Sequence, residues 1–135
     1  MPSLPDWLPE MVRASLVAEK LRGESEQWLR ESNGLLLYGT IGHAAYLRAD
    51  GSVWFHAPVD RIRDPDRYEW REASPVERLG AINLGVKKHP ELRELLPTRP
   101  ANAPDCRRCS GRGSLFEEVQ CPDCGGLGWI PHGAV

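Results

Sequence analysis

The sequence predicts an α+β fold, with an N-terminal helix, a small antiparallel β-meander and C-terminal helices, followed by a cysteine-rich hairpin. Apolar residues first recur at helical spacing, and the period then changes to that of strands. All four cysteines lie in the last 30 of the 135 residues. This length fits one domain of about 100 residues with a small appendage.

The first segment, from Asp6 to about Ser32, is predicted as helix. Asp6 is a candidate N-cap, and Asn33-Gly34 is a candidate C-cap. Gly23 weakens the middle of this helix, so two shorter helices are the alternative. The predicted apolar face consists of Met11, Ala14, Val17, Ala18, Leu21, Trp28 and Leu29.

The next segment, residues 35–58, predicts a three-stranded antiparallel meander. Residues 35–41 are a continuous apolar run of strand length, and Asp50-Gly51 is a hairpin turn signal between residues 45–48 and 53–56. Asp64-Pro65 is read as a further turn. Beyond it, Tyr68 and Trp70 are candidates to extend the sheet.

A helix is predicted to begin at Ser74-Pro75-Val76-Glu77, which has the pattern of a capping box with proline in the first turn. His89-Pro90 ends this helix, and a short helical turn follows. Its apolar stripe consists of Val76, Leu79, Ile82 and Val86.

These observations divide the chain into three parts. Residues 1–97 are a small α+β domain, residues 98–104 are a Pro-rich linker, and residues 105–135 are a metal-binding ribbon. Such a short ribbon cannot bury a core of its own, so it needs a metal or disulfides.

Two copies of one motif, CRRCSGRG at residues 106–113 and CPDCGGLG at 121–128, carry the strongest signal. Two cysteines separated by two residues can turn both sulfurs onto one ion, and two such pairs complete the tetrahedral four-thiolate shell of structural zinc. The glycines allow tight turns and let backbone amides approach the sulfurs. We therefore predict one structural Zn²⁺ per chain, bound by Cys106, Cys109, Cys121 and Cys124.

The repeated CxxCxGxG motif resembles the cysteine-rich domain of DnaJ-type chaperones, which has twice as many copies. The resemblance covers residues 104–131 and implies a zinc-binding ribbon with the same four cysteines as ligands. Residues 1–100 resemble no family, and His89-Pro90-Glu91 differs from the HPD tripeptide of a J-domain.

Other chemistries for the cysteines are a disulfide pair, a redox-active CxxC and an iron site. A redox CxxC normally opens a helix of a thioredoxin-like sheet, whereas here glycines follow each pair. Spacing alone does not separate zinc from iron. The scattered histidines are interpreted as surface or loop residues, and no catalytic constellation can be defined, so we expect no enzyme. These histidines are His43, His56, His89 and His132.

Composition restricts the function further. The net charge is −2, and basic and acidic residues balance in the tail, so we do not expect nucleic acid as a partner. No apolar run approaches a membrane span and no secretory signal is present, which favours the cytoplasm. We expect a zinc-binding, chaperone-like adaptor that contacts another protein. The alternatives are a nucleic-acid-binding ribbon and a chaperone-associated thiol-disulfide oxidoreductase.

Overall fold

The computed structural model describes residues 4–132. The first segment forms two helices, α1 (Trp7–Leu21) and α2 (Glu26–Ser32). Gly23 lies between them at φ +101°, where a side chain would be strained. Ser25 caps α2 by accepting a 3.1 Å hydrogen bond from the Trp28 amide, and Asn33 ends it in the left-handed conformation. The segment is therefore two helices, the alternative to the single predicted helix, and the C-cap at Asn33 is confirmed.

Two details of α1 differ from the prediction. Asp6 is the N-cap residue of α1, as predicted, but its side chain makes no capping hydrogen bond. The buried face is also different, because Val17 and Leu21 of the predicted stripe are 55% and 83% exposed. The predicted residues and the residues that are in fact buried both recur at helical spacing. Spacing alone therefore does not determine which of these two faces of α1 packs against the sheet. The residues that α1 buries are Leu8, Val12 and Glu19.

Four strands form one antiparallel sheet in the order of the sequence: β1 (Gly34–Thr40), β2 (His43–Arg48), β3 (Val53–Asp60) and β4 (Asp64–Glu72). The predicted meander is confirmed, with β4 as a fourth strand that contains Tyr68 and Trp70. Gly51, at φ +86°, forms the predicted turn between β2 and β3.

Asp64-Pro65 was expected to form a turn, and this prediction is wrong because these residues begin β4. The turn lies just before them. The Asp60 carboxylate accepts hydrogen bonds from the amides of Ile62 and Arg63, at 2.9 and 3.0 Å. An aspartate that binds the next amides stabilises such a turn, and an edge strand tolerates proline because half of its amides face away from the ladder.

Aromatic rings cover one face of this sheet. Trp28 of α2 packs against Tyr46, His56 and Trp70, with ring centroids 6.0, 5.0 and 5.5 Å away. His56 and Trp70 are direct cross-strand partners and therefore share a face. This aromatic cluster fixes α2 on the sheet.

The next helix, α3 (Pro75–Gly85), begins with the predicted capping box between Ser74 and Glu77. Leu79 and Ile82 of its predicted stripe are buried, and a 3-10 helix, Pro90–Leu95, follows His89. The predicted helix start is confirmed, whereas α3 ends at Gly85, four residues before the predicted break at His89-Pro90. Residues 98–104 contain no helix or strand and form only a turn.

The α+β class is confirmed by these helices and the four-stranded antiparallel sheet. The chain divides into two units, Met1–Glu72 and Ala73–Val135. This boundary lies before the predicted one at residue 97, because α3 shares hydrogen bonds with the cysteine-rich segment. Separate folding of residues 105–135 stays a prediction. Within residues 4–132, no helix is long and apolar enough to cross a membrane.

Candidate metal centre

The second unit brings the four predicted ligands together. The sulfur atoms of Cys106, Cys109, Cys121 and Cys124 all lie within 4.8 Å of one another. The Sγ–Sγ distance is 3.9 Å between Cys106 and Cys121 and 3.8 Å between Cys109 and Cys124. A tetrahedron with metal–sulfur bonds of about 2.3 Å has edges of about 3.8 Å. Two of the six sulfur–sulfur distances match this edge length and all six are within 4.8 Å, so the four sulfurs could hold a single metal ion.

Burial and oxidation state agree with this geometry. All four cysteines are free thiols, and none is more than 2% exposed. The close pairs join one motif copy to the other, whereas a redox-active disulfide would join the two cysteines of one CxxC. The cluster can hold a metal ion out of contact with solvent.

The two motif copies are related by an approximate internal two-fold symmetry. The Cys106 amide donates to the Gly128 carbonyl at 2.7 Å, and the equivalent Cys121 amide donates to the Gly113 carbonyl at 3.0 Å. The Gly113 and Gly128 amides donate to the sulfurs of Cys109 and Cys124, both at 3.3 Å. Each copy thus completes the other, and a backbone amide orients one thiolate in each.

Steric constraints explain why the last residue of each motif is glycine. A Cβ on Gly113 would lie 2.5 Å from the carbonyl oxygen of Gly126, and a Cβ on Gly128 would lie 2.6 Å from that of Gly111. Both positions have positive φ, +80° and +87°. A backbone carbonyl cannot rotate away as a side chain can. Only glycine therefore lets the two copies approach closely enough to share one ion.

The copies differ where the second one meets α3. Ser110 and Gly125 are equivalent and share the left-handed conformation, with φ of 55° and 64°. A Cβ on Gly125 would lie 2.8 Å from the amide nitrogen of Gly80 in α3, whereas Ser110 is exposed. The contact with α3 therefore explains why this position is glycine in the second copy.

Two side-chain hydrogen bonds fix this contact. Asn83 Nδ2 donates to the Gly125 carbonyl at 3.2 Å, and Gln120 Nε2 donates to the Gly80 carbonyl at 3.1 Å. We did not predict that Gly80, Asn83 and Gln120 support the site. The one available signal was the change from serine to glycine between the two copies, which marks the copy that packs closely.

The thiols of Cys109 and Cys124 differ in how readily they ionise. Burial raises the pKa of Cys109, but the Gly113 amide and the Cys106 and Cys124 thiols outweigh it and lower that pKa to about 7. Burial raises the pKa of Cys124 to about 12, and hydrogen bonds with Cys109 and Cys121 add to the rise. The Cys109 thiolate is thus stabilised by its neighbours, whereas ionisation of the Cys124 thiol is disfavoured. A bound divalent cation would lower the pKa of each thiol, because it stabilises the thiolate form of every ligand.

The hairpin between the copies is short. Its ends pair through a single antiparallel bridge between Ser114 and Gln120, and the Leu115 amide donates to the Val119 carbonyl at 2.9 Å. Leu115 packs against the cysteine cluster, whereas Phe116 is 65% exposed. Trp129 is 7% exposed and therefore buried.

Acidic partners neutralise some of the basic residues near the cysteines. Arg99 forms a 2.6 Å ion pair with Asp105, and Arg108 forms a 3.2 Å ion pair with Asp123. Arg99 also donates to the Ala103 carbonyl, so it links the end of the predicted linker to the start of the motif. Two of the four arginines between residues 99 and 112 are thus paired with carboxylates, whereas Arg107 and Arg112 form no ion pair among the described residues.

The scattered histidines lie in different surroundings. His43 contacts the Tyr38 hydroxyl at 3.1 Å, and His56 belongs to the aromatic cluster. His89 precedes the 3-10 helix, and His132 is exposed. Within residues 4–132, the four cysteines are the one group of three or more metal-binding side chains.

No protein-family model, curated protein or solved structure matches this chain. The likeness to the DnaJ-type cysteine-rich domain stays a prediction that depends on the two motif copies alone.

Proposed function

We propose that the protein binds one structural Zn²⁺ through Cys106, Cys109, Cys121 and Cys124 and uses the resulting rigid ribbon to contact another protein. The observation that carries the metal proposal is the set of four buried sulfurs within 4.8 Å of one another, two pairs of which lie at the edge length of a tetrahedral shell. All four positions of the shell are protein sulfurs. A closed shell of this kind is typical of structural zinc, since catalytic zinc keeps one position for water or substrate.

The interaction proposal rests on what the ribbon exposes. The metal shell orders a segment that has few apolar side chains for a core. Two of those few, Phe116 and Val119, are nevertheless exposed at 65% and 43%. A contiguous exposed apolar patch with polar residues around it is typical of a surface that contacts another protein. The DnaJ-like motif supports a chaperone-like adaptor role, and a reducing compartment such as the cytoplasm suits metal-bound thiolates.

The alternatives receive less support. A thiol oxidoreductase needs an accessible sulfur, and all four are buried. Nucleic-acid binding depends on accumulated positive charge, whereas Arg99 and Arg108 are already paired with carboxylates. Both can be tested on the metal-loaded protein by assaying reduction of a model disulfide and retention on single-stranded nucleic acid at low salt.

Native mass spectrometry of protein purified without added metal tests the metal proposal directly. We expect one zinc per chain, lost when Cys121→Ser removes one ligand, and retained in the matched Ser110→Ala protein. Iron in place of zinc would change the assigned metal. Two metals per chain, or a disulfide within one CxxC, would contradict the four-thiolate shell.

A further inference from the structure

The ribbon tip, residues 115–119, is held at both ends. At its start Leu115 packs on the cysteine cluster, and immediately after its end Gln120 hydrogen-bonds to the Gly80 carbonyl of α3. Within the tip, the Val119 amide donates to the Phe116 carbonyl at 2.9 Å. The tip is therefore a pre-ordered turn, and a partner that binds it need not supply the ordering free energy.

The side chains of this turn combine apolar and acidic groups. Phe116 and Val119 are exposed, and Glu117 and Glu118 lie between them in the sequence. Neither glutamate forms an ion pair with any residue in the range 4–132. The basic residues Arg99 and Arg108 form their ion pairs elsewhere in the ribbon region. The tip is thus an exposed apolar patch with two free negative charges.

The backbone conformation of the tip also supports a role in binding. Glu117 has φ +47°, in the left-handed region that favours glycine. In the described part of the second unit, Ser110 and Glu117 are the two non-glycine residues with positive φ, and the others are glycine. Ser110 belongs to a metal-binding motif, whereas Glu117 lies in the exposed tip. A strained non-glycine residue beside an exposed phenylalanine is poorly explained by stability and is typical of functional turns.

We propose that the ribbon tip inserts Phe116 into an apolar pocket of a partner protein, with Lys or Arg side chains at the pocket rim facing Glu117 and Glu118. This inference rests on the proposed function and deepens it, because it names the contact surface and the chemistry of the partner. The aromatic ring supplies buried area, and the two carboxylates select a basic rim. Opposite charge at the rim also favours rapid, salt-sensitive association.

Site-specific photo-crosslinking in the native cell tests this contact. The photo-reactive amino acid p-benzoyl-L-phenylalanine replaces Phe116 in the full-length protein, and mass spectrometry maps the partner residues that it labels. A second protein carries the same probe at Leu21, which is 83% exposed in the first unit and serves as control. We expect labelling at position 116 in an apolar pocket with lysine or arginine at its rim. An acidic or uncharged rim, or labelling no stronger than from position 21, would overturn the proposal.

Charge reversal provides the second arm. Glu117→Lys with Glu118→Lys should lower the yield of that cross-link on the order of tenfold, because like charges then meet at the rim. The matched control, Asp64→Lys with Asp66→Lys, makes the same charge change on β4 and should leave the yield unchanged. An undiminished yield after reversal at the tip would refute the basic rim.

Zinc content, measured on every variant, separates this inference from the proposed function. Absence of zinc from the parent protein counts against the proposed function itself. A zinc-loaded parent protein without the expected cross-link counts against the tip alone.

Discussion

The sheet of the first unit and the cysteine ribbon of the second are stabilised by different interactions. In the sheet, large side chains fill the space, as where Trp28 packs against Tyr46, His56 and Trp70. In the ribbon, glycines bring backbone against backbone around four buried sulfurs. Stability of the sheet should therefore depend on buried area, and stability of the ribbon on bound metal.

This difference also determines which substitutions each region tolerates. A side chain of the aromatic cluster can be shortened, and the loss is graded by the cavity that remains. A ribbon glycine has no side chain to shorten and cannot be enlarged, because the atom in the way is a backbone carbonyl at Gly113 and Gly128. The ribbon should therefore be sensitive to single added methyl groups that the sheet would accommodate.

Removal of the metal should have the largest effect and should be confined to the ribbon. Structural zinc supplies roughly 10–16 kcal/mol in small metal-dependent folds. We expect chelation, or Cys121→Ser, to unfold residues 105–131 while the first unit stays folded. Hydrogen exchange followed by mass spectrometry reports both regions in one sample. Loss of amide protection throughout the β1–β4 sheet would show that the two regions do not differ in metal dependence.

Truncation of Trp28 should be the corresponding experiment in the sheet. Trp28→Ala removes three ring contacts and should lower the free energy of unfolding of the first unit by about 3 kcal/mol. Zinc content should not change. Urea denaturation followed by circular dichroism measures the loss. Leu21→Ala, at an exposed position of α1, is the control and should change stability by less than about 0.5 kcal/mol.

A single added methyl group at Gly125 should weaken the ribbon. Gly125→Ala places a Cβ 2.8 Å from the Gly80 amide nitrogen at φ +64°, so overlap and backbone strain should together cost about 2 kcal/mol. The matched variant Ser110→Ala changes the equivalent exposed position of the other copy and should be nearly neutral. Competition with a chromophoric zinc chelator measures both. Equal effects in the two variants would contradict the role assigned to α3.

Local chemistry explains which parts of this fold could be predicted. The capping box at Ser74 and the turn at Asp50-Gly51 were found because each is specified by a few neighbouring residues. The four cysteines were found for the same reason, since ligand spacing within each CxxC is local. The Asp64-Pro65 turn was misplaced because Asp60 supplies the turn hydrogen bonds instead, and the sequence offers two aspartates within reach.

Tertiary packing explains what could not be predicted. Two faces of α1 have residues at the same helical spacing, and only packing against the sheet determines which of the two is buried. The support that α3 gives to the ribbon depends on a glycine-to-glycine approach between Gly80 and Gly125, which are far apart in the sequence. No local pattern encodes such an approach. Only the departure of the second motif copy from the first hinted at it.

Removal of a buried charge should stabilise the sheet region modestly. Burial raises the pKa of the Glu19 carboxyl, and although nearby Arg22 opposes this rise, the net shift is upward. Glu19 Oε2 has no hydrogen-bond partner among the described residues. The ionised Glu19 carboxylate therefore destabilises the folded state at neutral pH. This destabilisation disappears as the pH falls through the raised pKa and the carboxylate becomes protonated.

We accordingly expect Glu19→Gln to raise the melting temperature of the first unit at pH 7 by a few degrees. The gain should shrink on acidification, because below the folded-state pKa both side chains are neutral. Thermal melts of both proteins between pH 7 and pH 4 measure the difference. A gain that is constant across this range would show that shape or hydrogen bonding, and not charge, determines the effect of Glu19.

The smallest effect should come from Glu117→Gly in the ribbon tip, where the ribbon carries a side chain at a position suited to glycine. Relief of the left-handed conformation, about 1 kcal/mol, is offset by the greater freedom of glycine in the unfolded chain, about 0.5–1 kcal/mol. Glu117→Gly should therefore change the stability of the ribbon by only a few tenths of a kcal/mol, in contrast to Gly125→Ala at a similar φ. Calorimetry of the zinc-loaded protein measures this. A loss above about 1 kcal/mol would mean that the Glu117 side chain stabilises the ribbon itself, which would remove the strain at Glu117 as support for a contact at the tip.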